Sequence, residues 1–115
     1  MMNLLKETQK VVDLLTRDYE SFCFQRDMEV RQDRMYCFEE GRNYIKLIMD
    51  DNGRCSVAGF IVKKSPKPLD NKTKAPFKVG DLLMAAGYNA PATNFARGNV
   101  FDDSTLGCIT WTGVQ

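Results

Sequence analysis

"RMYCFEEGRNYIKLIMDDNGRCSVAGFIVKK", residues 34–64, decides the fold. Glu40-Gly41 and Asn52-Gly53 within it supply residues that tolerate the positive φ of tight turns. Between them, Tyr44, Lys46 and Ile48 alternate with Ile45, Leu47 and Met49, which makes one strand face apolar and the other mixed. The stretch reads as three short antiparallel strands, a meander whose apolar face needs a cover.

That cover lies upstream. Asn3 can cap a helix, and Leu4, Leu5, Val11, Val12, Leu15 and Tyr19 recur at spacings of three, four and seven, which predicts one amphipathic helix over about residues 4–18. Lys6, Gln9, Lys10, Asp13 and Arg17 fall on its opposite, solvated face. From Tyr19 the period changes to two, with Phe22 and Phe24 on one side and Ser21, Cys23 and Gln25 on the other, which predicts a further strand. A helix continued through residue 32 is the alternative.

Downstream, residues 63–76 hold five lysines, three prolines and one leucine, the composition of an exposed loop. Next, Asp81 and Gly87 bracket "LLMAA" as cap and stop, and Pro91 and Gly98 do the same for "PATNFAR", predicting two short helices. The β-branched and aromatic residues of "LGCITWTGV" predict a closing strand, with Gly113 ending it. The expected architecture is α+β: an N-terminal amphipathic helix packed on a mainly antiparallel sheet of four or five strands, with short helices before the last strand. The 115 residues are the size of one domain and show no internal repeat.

Composition narrows the chemistry. No apolar run reaches the roughly 18 residues of a membrane helix, and charges interrupt the N-terminus where a signal peptide would be apolar, so a cytoplasmic protein without membrane contact is expected. Cys23, Cys37, Cys55 and Cys108 form no C-x-x-C pair; free, mostly buried thiols are the expectation. The chain has no histidine. Nucleophile–base triads and the usual zinc and iron motifs therefore lose a necessary member. The glycines of "GDLLMAAG" and "GNVFDDSTLG" do not form a phosphate-binding loop. A carboxylate-based enzyme could draw on Asp50, Asp51, Asp81, Asp102, Asp103, Glu39 and Glu40, but no arrangement singles out a catalytic residue or a cofactor, and a non-enzymatic role is expected.

Charge is laid down unevenly. Net charge is +1, yet residues 63–78 carry six Lys against one Asp, while residues 1–62 carry nine Lys/Arg against eleven Asp/Glu. Lys63, Lys64, Lys67 and Lys78, with Asn94, Arg97 and Asn99, are the candidate binding residues. Beside Tyr88, Phe95, Phe101 and Trp111 they would suit single-stranded nucleic acid, with lysines on phosphates and rings on bases. Against this, lysines also keep loops soluble, and aromatics fill the cores of small domains. Arg97 could equally pair with Asp102 or Asp103. An exposed edge strand and adaptable Met28, Met35, Met49 and Met84 favour a protein partner.

"YIKLIMDDNGRCSVAGFIV", "FKVGDLLMAAGYNAPATNFARGNVF" and the late "WTG" together resemble a group of small uncharacterised proteins of tailed bacteriophages, over roughly residues 35–113. The resemblance implies a phage product in a bacterial cytoplasm and carries over no site residues. By analogy it implies binding to a host or phage protein, with nucleic acid as the alternative partner. The lysine-rich loop is longer and more basic than that pattern, so it lends no role to Lys67, Lys72 or Lys74.

Overall fold

In the computed structural model, which describes residues 4–29, 34–64, 74 and 76–114, the meander forms as β1 (Arg34–Glu40), β2 (Tyr44–Asp51) and β3 (Arg54–Val62). With β4 (Asp81–Leu83) and β7 (Gly98–Asn99) it makes one antiparallel sheet, in the order β1-β2-β3-β4-β7. The fold is α+β, as the residue pattern requires. The β2–β3 turn is the expected one: Asn52 (φ 53°) and Gly53 (φ 88°) both take the left-handed conformation, and Asp50 Oδ1 accepts the Gly53 amide at 2.8 Å. Ala58 is left without a partner where the β2–β3 register shifts, a bulge that bends β3.

Helix α1 runs Leu4–Gln25, so the strand expected after Tyr19 is in fact more helix, as in the alternative reading, but it ends at Gln25 and does not continue towards residue 32. Tyr19, Phe22 and Cys23 continue the three-and-four spacing into the core, while Phe24, read there as a strand residue, is 87% exposed. The helix stops at Asp27 (φ 53°). Its amide bonds the Phe24 carbonyl, and the Met28 amide bonds that of Cys23 at 2.8 Å. This paired closure usually employs glycine, and an aspartate in that place hid the stop.

Two apolar clusters flank the sheet. Val11, Val12, Leu15, Tyr19 and Cys23 of α1 pack with Ile45, Leu47 and Ile61 on one face; on the other, Phe60, Val62 and Leu83 pack with Phe77. Because Leu82 joins the first cluster and Leu83 the second, both fully buried, "DLL" is a strand covered on both sides.

The two helices expected between residues 81 and 98 are absent. Asp81 opens β4, and β5 (Ala85–Gly87) and β6 (Ala90–Pro91) form a small hairpin. Pro91 and Gly98 both lie in strands, and the sheet's fifth strand is β7. One 3₁₀ helix, Asp103–Cys108, precedes the C-terminal strands, capped by Asp102, which accepts from the Ser104 amide at 3.1 Å and hydroxyl at 2.6 Å. The closing strand is instead a hairpin, β8 (Ile109–Thr110) with β9 (Gly113–Val114). Gly113 lies inside β9 against the Ala58 carbonyl, where a side chain would collide. Cys23 is buried and Cys108 half-buried, but Cys37 and Cys55 are exposed, contrary to the expected burial: both point to the sheet face that α1 does not cover.

Candidate functional site

Cross-strand partners share a face of the sheet, so the register alone lays out what faces away from α1. One row is Met35, Asp50 and Cys55; the next is Cys37, Ile48 and Val57; the third is Glu39, Lys46 and Phe60. Phe60 lies under the second cluster. Ahead of it the face is open: Met35 is 61% exposed, Cys37 and Cys55 are exposed, and Val57 is half-buried beside the buried Ile48. Burial nevertheless raises the Cys37 thiol pKa, and the charge of Asp50 adds to it, so this thiol is a weak nucleophile at neutral pH.

At one end of this face Lys46 reaches the β5–β6 loop. Its Nζ donates to Asn89 Oδ1 at 2.5 Å and sits 4.2 Å from the centre of the half-exposed Tyr88 ring. Tyr44 and Phe60 meet edge to face beneath, and with Glu39, Arg42 and Asn43 they line an open cleft of about 290 Å³. A larger depression, about 490 Å³, lies between α1 and the 3₁₀ helix, lined by Lys10, Leu14, Arg17, Asp18, Ser21 and Asp103. Its carboxylates are engaged: Asp103 pairs with Lys10, and Asp18 accepts the Trp111 amide at 2.7 Å. Asp81 and Asp102 also accept internal hydrogen bonds.

The structure separates the candidate binding residues. Lys63 meets Glu40 at 3.3 Å and the Gly41 carbonyl at 3.3 Å; Lys64 and Lys78 are exposed; Lys67 lies outside the described residues. Asn94 accepts the Phe95 amide at 2.8 Å. Asn99 is a structural clamp. Its amide group donates to Asp81 Oδ1 at 2.8 Å and Val79 O at 3.2 Å, and its oxygen accepts from the Phe101 amide. Arg97 does not take the expected pairing with Asp102 or Asp103; its guanidinium lies 3.9 Å over the Phe95 ring, half-buried, with Nε unpartnered.

The aromatics are divided as well. Trp111 packs on Phe22 and Tyr19 and under Arg34, its carbonyl accepting the Tyr36 hydroxyl at 2.5 Å, and Phe101 packs on the first cluster. Among the described residues, only Tyr88 stands half-exposed beside a cation on the open side. Lys46, which lies over it, and Asn89, which accepts from Lys46, lie 43 residues apart and carried no sequence signal.

The model of a family of unknown function, DUF7717, matches residues 1–114. The chain belongs to this family. Its match takes in both α1 and the C-terminal hairpin, the elements that pack together around Trp111. No curated protein and no solved structure matches the chain.

Proposed function

We propose that the chain is a non-catalytic interaction module, phage-encoded and cytoplasmic, that binds a host or phage protein through the open outer face of β1–β3. One observation carries the reading: Met35, Cys37 and Cys55 are exposed together on the outer face of β1–β3, flanking the buried Ile48 and the half-buried Val57, which packs on the second cluster. Burying such a surface is favourable by about 25 cal/mol per Å² of apolar area, and Met35 adapts readily to a partner's shape. The resemblance to small tailed-phage proteins supports the choice of a bacterial or phage partner. Single-stranded nucleic acid is the weaker reading, because Asn99 and Trp111 are committed internally and Lys63 is paired with Glu40.

A photo-crosslinking side chain at position 35 or 55, expressed in bacterial cells, tests this against the same group at Lys6 or Arg17 on the far face of α1. A discrete protein adduct from the face positions alone is the expected result. Equal labelling from both sets overturns the proposal, as does oligonucleotide binding lost on neutralising Lys63 and Lys64.

A further inference from the structure

β1 is the long edge of the sheet. All seven residues pair with β2, from Arg34 with Asp51 to Glu40 with Ile45, and no described strand pairs with the other side. That side presents a ladder of backbone donors and acceptors, and its central residues, Met35 to Phe38, include no charge, glycine or proline to discourage pairing.

We propose that a second copy of this chain pairs with this edge, β1 against β1 antiparallel, about a two-fold axis at Cys37. The strand's sequence is complementary to its own reverse. Centred on Cys37, the register sets Arg34 opposite Glu40 of the second copy, Tyr36 opposite Phe38, Met35 opposite Glu39, and Cys37 opposite itself; symmetry repeats each contact. It is also the one two-fold register that pairs all seven residues. Centring on Tyr36 leaves Glu39 and Glu40 beyond the partner strand. Centring on Phe38 does the same to Arg34 and Met35 and sets Arg34 towards Arg42, a repulsion.

The side chains fit this arrangement. Tyr36 and Phe38 lie on the α1 side, where Phe38 is only half-buried and an aromatic neighbour completes its cover. Glu40 meets Lys63 at 3.3 Å and has a second carboxylate oxygen for the incoming guanidinium, which stacks on Tyr19 and Trp111 of its own chain. A two-fold axis normal to the sheet keeps both helices on one side, so the open outer faces join across a ten-stranded sheet. This goes beyond protein binding as such: it assigns the edge to self-association and leaves the face for the partner.

Cys37 makes the arrangement testable. Directly opposed residues of antiparallel strands have Cα atoms about 4.5 or 5.5 Å apart, both inside the range a disulfide spans. Cys55, on β3, would be five strand spacings from its mate, roughly 24 Å. Purified Cys55→Ser and Cys37→Ser proteins are oxidised mildly without denaturant and run on non-reducing gels, and the reduced wild type and Glu40→Arg are compared by light scattering. The expected result is covalent dimer from Cys55→Ser alone, a reduced wild-type dimer, and dimer affinity at least about tenfold weaker in Glu40→Arg. A wild-type monomer at about 100 μM, equal crosslinking by the two single variants, or a dimer indifferent to Glu40→Arg each overturns it. Photo-crosslinked adducts of twice the chain mass belong to this interface, and adducts of any other mass to the proposed partner, so either idea can fail alone.

Discussion

Gly113→Ala should remove a large share of this protein's stability. Gly113 has φ +125°, and a Cβ built there falls on the Ala58 carbonyl oxygen and 3.1 and 3.2 Å from Ala58 C and Cα. These are backbone atoms of β3 and cannot rotate away. The left-handed conformation alone costs a side chain about 1–2 kcal/mol. Relieving the collision means lifting β9 from β3, which exposes Val114, now 2% exposed. Burial of a valine is worth about 1.5–3 kcal/mol, so the total is about 3–5 kcal/mol out of the roughly 5–15 kcal/mol that holds a domain together. Thermal unfolding followed by circular dichroism should show a midpoint lower by roughly 12–20 °C. Gly107→Ala is the control, since Gly107 has ordinary φ and no atom within 4 Å of the built Cβ; its midpoint should move by no more than about 0.5 kcal/mol allows. If Gly113→Ala melts with Gly107→Ala, the hairpin is not seated on β3 and the packing argument is wrong.

Asn99→Ala should cost about 2–3 kcal/mol in urea unfolding, because it strips the Asp81 carboxylate, 8% exposed, of one of its donors, and Asn99→Asp should cost more by setting two carboxylates together. Tyr36→Phe should lose about 1–2 kcal/mol with the hydroxyl donated to Trp111 O. Burial raises the Tyr36 phenol above its ordinary value near 10, so its stabilisation is fully present below pH 10 and lost as pH rises above it. Alkaline unfolding monitored by tyrosinate absorbance should therefore be shallower in Tyr36→Phe. Thiol labelling of the native protein should modify Cys37 and Cys55 first and Cys23 only on unfolding, with Cys37 labelling accelerating into the alkaline range because burial raises its pKa. Cys23 reacting alongside the exposed pair would contradict the core described for α1.

The sequence by itself determined the meander, its Asn52-Gly53 turn and the buried stripe of α1 from Val11 to Tyr19, though not Leu5, which is exposed, because strand alternation, paired positive-φ residues and the helical period are local physics. It also showed that the chain supplies no histidine of its own. It did not determine the end of α1: a left-handed aspartate stopped the helix where glycine is the usual sign. Nor did it determine residues 81–98, because a run as short as Leu82-Leu83 reads alike for helix and for a strand buried on both faces, and only the two clusters on opposite sides of β4 distinguish them. Asn99, a candidate ligand contact by composition, became a structural clamp through Asp81, eighteen residues away. The exposure of Cys37 and the place of β1 at the end of the described sheet were likewise tertiary decisions. Which strand lies at the rim of a sheet depends on how distant segments pair, and no local pattern records that.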